Sequence, residues 1–175
     1  MKREQIINKL VSSVNLEKNP DVAKAIPCNG GYAFTNGFAL FTDKENRAEL
    51  PLLPAFKQEA YASAIDNYFE KPFKFSARID KKALDRFMKD NKLRYGAGKL
   101  IILEHDGWFY GFNAKYLWWI IDYAKTNILH FIECRGNFYS VSTQGKDCAC
   151  TLLPVRLQQR NYSDDLVFKV EKMEV

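Results

Sequence analysis

The first regular feature of the chain is an amphipathic pattern at its N-terminus. Apolar residues recur at spacings of one, three and four between positions 2 and 14, with charged residues between them. This spacing predicts a first helix over Lys2–Val14. The run 23–42 is rich in aromatic and small residues and is interrupted by Asn29-Gly30-Gly31 and Asn36-Gly37. It therefore predicts short strands joined by tight turns.

The middle of the chain changes between helical and strand patterns. Positions 55–69 predict a short helix that ends before the Lys71-Pro72 pair. Alternating apolar and polar residues from 73 to 79 predict a strand, which leads into Asp80 as the N-cap of a helix that reaches about Lys92. Residues 99–112 predict a hairpin that turns at Asp106-Gly107.

The C-terminal half repeats the order of helix and strands. Asn113 predicts the N-cap of a helix over 114–125, and strands are predicted at 128–134, 137–143, 148–157 and 166–170. The pattern predicts an α+β fold with helices packed on one face of antiparallel sheets. We expect four segments: a half-domain at 1–55, a connector at 56–72, a domain at 73–157 and a C-terminal tail at 158–175.

The composition is typical of a folded protein. Of 175 residues, 47% are hydrophobic, which excludes a disordered chain, and the net charge of +5 only slightly favours a polyanion partner. The apolar stretches are far shorter than the roughly 20 residues that cross a bilayer. The N-terminus has no apolar signal core. We therefore expect a cytoplasmic protein with no membrane association.

Candidate catalytic chemistry is sparse. The two histidines, His105 and His130, have no carboxylate at ligand spacing, and the sequence has no phosphate-binding loop or nucleophile motif. The four cysteines are scattered, which is typical of reduced thiols in a core or strand. The sequence predicts a non-enzyme with no catalytic residue, no metal site and no cofactor.

Three short segments resemble those of a known family. Segment 112–117 reads Phe-Asn-Ala-Lys-Tyr-Leu, segment 152–157 reads Leu-Leu-Pro-Val-Arg-Leu, and segment 34–40 reads Phe-Thr-Asn-Gly-Phe-Ala-Leu. They are similar to the FNxxYL, MPxRL and ATDGxRL segments of the bacterial DNA polymerase III β subunit, the sliding clamp. The resemblance covers Arg3–Phe41 and Phe73–Leu157. The chain is shorter than that three-domain family, so it resembles a shortened clamp from a phage or mobile element.

The resemblance implies a peptide-binding pocket between the second and third of these segments. Asn36 and Ala39 stand where the family has Asp and Arg. An extended peptide can bury alternate side chains in such a groove. The simpler alternative is that the segments supply ordinary sheet-core residues. Carried over by position, the pocket would consist of Thr35, Gly37, Phe38, Leu40, Leu153, Pro154, Val155, Arg156 and Leu157.

The resemblance also implies helices that face double-stranded DNA. The predicted helix after Asp80 has a net charge of +3, and the first helix has +2. Contacts of this kind reach phosphates, are independent of base sequence and weaken with salt. A solvated basic face is the alternative. The residues implied in DNA binding are Lys2, Arg3, Lys9, Lys81, Lys82, Arg86, Lys89 and Lys92.

Three hypotheses for function follow. The leading one is a clamp-like DNA polymerase processivity factor or replication adaptor that binds DNA and short peptide motifs of replication proteins. The family ring has six domains, so by counting half-domain units four copies of this chain would form a homo-oligomeric ring. The second is a peptide-binding regulatory module that does not encircle DNA. The third is a nucleic-acid binder that uses the aromatic residues Trp108, Tyr110, Trp118 and Trp119.

Overall fold

The computed structural model describes residues 1–93, 98–136, 138–157 and 162–173. The helices of this part of the chain are α1 (Arg3–Ser12), α2 (Ala55–Phe69), α3 (Lys81–Asp90) and α4 (Ala114–Ala124), and a 3-10 helix covers Pro20–Ala23. The strands are β1 (Ile26–Cys28), β2 (Gly31–Thr35), β3 (Ala39–Asp43), β4 (Phe75–Arg78), β5 (Leu100–His105), β6 (Trp108–Asn113), β7 (Ile128–Arg135), β8 (Phe138–Gly145), β9 (Cys148–Leu152), β10 (Val167–Lys169) and β11 (Glu171–Lys172).

Local sequence signals determine where several helices begin. The Asp80 carboxylate accepts hydrogen bonds from the amides of Lys82 and Ala83 at 3.0 and 3.1 Å, so the predicted N-cap of α3 is confirmed. The Asn113 side chain accepts from the Tyr116 amide at 3.1 Å and caps α4 in the same way. The predicted helix at 55–69 is confirmed with the same bounds.

The strands form two sheets. The larger has eight antiparallel strands in the order β1-β2-β3-β9-β8-β7-β4-β11, and the smaller has the order β10-β5-β6. The pairing of β3 with β9 brings the N-terminal strands and the C-terminal hairpin into one sheet, with Ala39 opposite Leu152. In the smaller sheet β10 runs parallel to β5. The predicted α+β class with antiparallel sheets is confirmed.

One face of the larger sheet holds the main core. Phe34 and Phe41 point from β2 and β3 into a large buried cluster that includes residues of α1, α3 and α4. Leu117 of α4 is fully buried in this cluster, and so are Ile6 and Ile7 of α1. Most residues of α4 are buried, as expected for a helix enclosed by other elements. We call this side of the sheet the inner face.

Helix α2 lies on the opposite side, which we call the outer face. Alternate residues of a strand point to opposite faces, so Ala33 and Leu40 point away from the main core. They form a small separate cluster with Ile65 of α2. The sequence pattern predicts helices on one face; α1, α3 and α4 share the main core, whereas α2 covers part of the other side.

Two predicted segments differ in detail from the structure. The last predicted strand of the C-terminal hairpin extends to Leu157, but β9 ends at Leu152. Residues 154–157 leave the larger sheet, and Val155 forms a bridge with Gly111 of β6 in the smaller one. Part of the predicted tail, 158–161 and 174–175, and Asn137 of a predicted strand lie outside the described residues. Among the described helices, none is long and apolar enough to cross a membrane.

Candidate functional site

The structure distributes the predicted pocket residues between two cavities. The first, which we call the α2 cavity, lies on the outer face beside α2 and has a volume of about 220 Å³. Its lining is mainly apolar, and the exposed fractions of Phe38 and Leu153 at its rim are 64% and 41%. The predicted residues that line it are Thr35, Gly37, Phe38, Leu40 and Leu153.

The other four predicted residues line a second cavity, which we call the β6 cavity. It has a volume of about 180 Å³ and lies between β6 and the start of β8. Burial raises the pKa of Tyr110 in this cavity to about 12. The Arg156 guanidinium lies 5.8 Å from the centre of the Phe138 ring. The predicted residues here are Pro154, Val155, Arg156 and Leu157.

Backbone hydrogen bonds explain why one predicted pocket became two cavities. The Leu153 amide donates to the Phe38 carbonyl at 2.9 Å and keeps Leu153 beside β3. The Val155 amide donates to the Gly111 carbonyl at 2.8 Å and brings Val155 to the edge of β6. Pro154, which has no N–H, stands at the crossing between the sheets. A side chain at position 111 would collide with Leu157, so glycine allows this close approach.

A tight turn presents Phe38 at the rim of the α2 cavity. Gly37 has φ +89°, a conformation that favours glycine. The Thr35 hydroxyl donates to the Ala39 carbonyl at 2.8 Å and accepts from the Gly37 amide at 3.0 Å. The Asn36 side-chain oxygen accepts from the amides of Phe38 and Ala39 at 3.0 and 2.9 Å. Asn36 therefore stabilises the turn at the position where the family has Asp.

Four lining residues of the α2 cavity come from α2 itself and were not predicted. The Tyr68 hydroxyl bonds to Ser140 and accepts from the Thr151 hydroxyl at 3.1 Å, so it ties α2 to β8 and β9. Burial raises the pKa of Tyr68, although these hydrogen bonds oppose the shift. The spacing of the apolar residues in 55–69 contained a signal for this helix face. The missed residues of α2 are Tyr61, Ala64, Ile65 and Tyr68, and the strands add Ile26, Ala39 and Thr151.

The predicted DNA-binding residues occupy different environments. Lys2, which precedes α1, and Lys9 of α1 are exposed, while Arg3 is engaged within the fold. The Arg3 guanidinium donates to the buried Asp43 carboxylate at 3.1 Å and to the Tyr123 carbonyl at 3.0 Å. These contacts tie α1 to β3 and α4, so both of these Arg3 donors are engaged within the fold.

The second predicted DNA-binding group lies on and just after α3. Lys81 is half-buried, and the ammonium of Lys89 is 3.2 Å from the Asp85 carboxylate. The exposed members of the group are Lys82, Arg86, Lys89 and Lys92. Leu84 and Met88 of the same helix are buried in the main core, so α3 presents its basic side to solvent.

Two further observations concern chemistry. In the described ranges, no group of three or more His, Cys, Asp and Glu side chains is placed to hold a metal ion. The ring of His130 stacks on that of Phe73 with centroids 4.2 Å apart, and its Nδ1 is 2.7 Å from the Ser76 hydroxyl. His105 stacks on Phe75, so both histidines pack against aromatic rings.

Comparisons with known proteins support the fold. No family model matches the chain, and no curated protein matches it. Among solved structures, the chain is similar to DNA polymerase III subunit beta from Borrelia burgdorferi in complex with a natural product, with a TM-score of 0.54 and 13% sequence identity. The match covers 90% of this chain and 62% of that chain, so this protein spans less than two thirds of its structural relative. The described fold is therefore clamp-like.

Proposed function

We propose that this chain is a non-catalytic clamp-like replication accessory protein that binds a short peptide motif of a partner in the α2 cavity. The observation that supports it best is the open apolar cavity formed where the segment 35–40 meets Leu153, the meeting point implied by the family resemblance. Extended peptides bind such surfaces through a few buried apolar side chains, and the preformed turn at Gly37 lowers the ordering cost.

The peptide role is tested with variants that shorten the two exposed rim residues. Peptides derived from replication proteins would be titrated into the protein by calorimetry. Phe38→Ala and Leu153→Ala should each weaken binding about tenfold or more, because each removes an apolar contact with the peptide. Phe56→Ala is the matched control, since Phe56 is 83% exposed on α2 and does not line the cavity. Unchanged binding in both rim variants would contradict the proposal.

The second part of the proposal is non-specific binding of double-stranded DNA through the basic side of α3 and through the exposed Lys2 and Lys9. The double variant Lys82→Glu/Arg86→Glu should lower DNA affinity and reduce its dependence on salt, because fewer counterions are released on binding. A variant with the same change of charge at Lys18 and Lys169, which are exposed elsewhere, is the control. DNA binding that is equally weakened in both would contradict a specific role of α3.

In this proposal, four copies of the chain form a ring around DNA. Light scattering coupled to size-exclusion chromatography, with and without DNA, measures the number of copies. A monomer at high concentration in both conditions would exclude a self-assembled ring.

A second candidate function is a peptide-binding module that does not encircle DNA. The burial of α4 and the internal contacts of Arg3 favour this second candidate, because they leave fewer exposed helix residues and one fewer free cation to face DNA. Peptide binding that depends on Phe38, together with no salt-dependent DNA binding, would support this candidate over the first.

A further inference from the structure

A basic cavity lies on the protein surface where the chain leaves α2. It has a volume of about 440 Å³ and is formed by the connection between α2 and β4 and by the end of β7. Three cationic side chains line it, and Glu133 is its only acidic lining residue among the described ones. The lining therefore has a net charge of +2. The cationic residues are Lys71, Lys74 and Arg135.

The positive charge of this basic cavity is only weakly compensated. The Lys74 ammonium is 3.8 Å from the Glu133 carboxylate, and both side chains are largely exposed, so solvent screens the pair. Within the described residues, Lys71 and Arg135 have no carboxylate at ion-pair distance. Glu70 precedes Lys71 in the chain but lines a different cavity, on the other flank of α2. Two cations thus remain available to an incoming ligand.

The basic cavity adjoins the α2 cavity through Tyr68. The Tyr68 ring lines the α2 cavity, and the Lys71 ammonium lies 5.4 Å from the centre of that ring. Lys71 also lines the basic cavity, so this side chain joins the two cavities. A peptide that leaves the α2 cavity past Tyr68 therefore reaches the basic cavity.

We propose that the partner segment bound in the α2 cavity carries acidic residues next to its apolar anchor, and that these residues bind in the basic cavity. This inference rests on the proposed peptide-binding function. Hydrogen bonds between carboxylates and Lys or Arg are stronger than neutral ones, and complementary charge also speeds association and selects the partner. The α2 cavity supplies apolar contacts, and the basic cavity determines which peptides bind most tightly.

Three synthetic peptides test the proposal. Each contains the same leucine and phenylalanine anchors, followed by aspartates, by serines or by lysines. The aspartate peptide should bind the wild-type chain about tenfold more tightly than the serine peptide, and the difference should shrink as salt screens the charges. The lysine peptide should bind most weakly.

Charge reversal on the protein provides the second arm. Lys71→Glu/Arg135→Glu should abolish the preference for aspartate and favour the lysine peptide. Lys18→Glu/Lys169→Glu changes the net charge equally at exposed sites away from the cavity and should leave the preference intact. Circular dichroism of both variants would verify that they fold.

The outcomes distinguish this inference from the proposed function. Equal binding of the aspartate and serine peptides would overturn the inference, while the peptide function would stand. Absence of binding by all three peptides would count against the peptide function and remove the inference with it. A single-stranded oligonucleotide that displaces the aspartate peptide and depends on Lys71 and Arg135 would show a nucleic-acid site instead, and would also overturn it.

Discussion

The inner and outer faces of the eight-stranded sheet differ in how completely they are covered. On the inner face, α1, α3 and α4 enclose one large core that includes fully buried Phe41. On the outer face, α2 covers only a small cluster around Ile65 and leaves an apolar cavity open beside it. Because buried apolar area provides most of the folding free energy, the inner face provides most of the stabilisation, whereas the outer face leaves an apolar surface open beside α2.

Neighbouring residues of β3 test this difference most strongly. Phe41 points inward and Leu40 points outward, so the two substitutions probe opposite faces of one strand. Phe41→Ala should lower the free energy of unfolding by about 4 kcal/mol, because it leaves a cavity in a closed core. Leu40→Ala should lower the free energy of unfolding by only about 1 to 2 kcal/mol, since the Leu40 side chain is only half-buried. Urea denaturation measures both, and equal losses would contradict the comparison.

The ionic network at the inner face gives the next largest effect. The buried Asp43 carboxylate accepts from Arg3, from Arg47 at 3.0 Å and from the Tyr123 hydroxyl at 2.8 Å. Asp43→Asn should lower the free energy of unfolding by about 3 kcal/mol, because it leaves the guanidinium groups of Arg3 and Arg47 without their buried carboxylate partner. Urea denaturation at neutral pH measures the loss, and an unchanged midpoint would show that the network adds nothing to stability.

The same carboxylate predicts a pH dependence. Burial alone would raise the pKa of Asp43, but hydrogen bonds from Arg47, the Glu45 amide and Tyr123 outweigh it and lower the pKa. Because the pKa is lowered in the folded state, the ionised carboxylate stabilises the protein at pH values above the unfolded pKa of 3.8. This stabilisation is lost as the pH falls through the pKa of the folded state. Acid unfolding curves should therefore be less steep for Asp43→Asn than for the wild type.

A smaller effect is expected where α2 meets the outer face. Tyr68→Phe removes the hydroxyl that bonds to Ser140 and Thr151 but keeps the ring. The free energy of unfolding should fall by about 1 kcal/mol, the usual net value of such hydrogen bonds. Thermal denaturation measures this, and a loss as large as that of Phe41→Ala would mean that the outer face is also part of the main core.

The smallest effect on stability should coincide with a large effect on binding. Ala64 is exposed and lines the α2 cavity, so Ala64→Trp would fill the cavity without disturbing the core. Stability should change by less than about 0.5 kcal/mol, as for most surface substitutions. Peptide affinity, measured by calorimetry, should fall strongly. Unaltered affinity would show that the peptide does not enter the cavity.

The sequence was informative where signals are local. Caps such as Asp80 and Asn113 and the proline break after 55–69 predicted elements that the structure confirms, because each depends on residues a few positions apart. The face on which α2 packs depends on contacts distant in sequence, such as Tyr68 with Ser140. The sequence therefore predicted the helix but not its place beside the cavity.

The candidate site also depends on contacts between residues that are distant in the sequence. The segments that form it were predicted from a family resemblance, and five of the nine residues line one cavity. The crossing of the chain at Pro154, which moves Val155 to another sheet, depends on a hydrogen bond to Gly111 that no local pattern indicates. The internal role of Arg3 likewise depends on Asp43, which is far away in the sequence. The family resemblance and the helix charge placed Arg3 among the DNA-binding candidates, and neither of them indicates its contact with Asp43.

The most direct test of the account maps a bound peptide on the two faces. Methyl and amide NMR spectra of the chain would be recorded during titration with the aspartate peptide. We expect chemical-shift changes concentrated at outer-face residues such as Leu40, Ile65 and Leu153, with little change at inner-face residues such as Leu117. Shifts centred on the inner face, or none at the α2 cavity when the peptide is bound, would contradict the assignment of binding to the outer face.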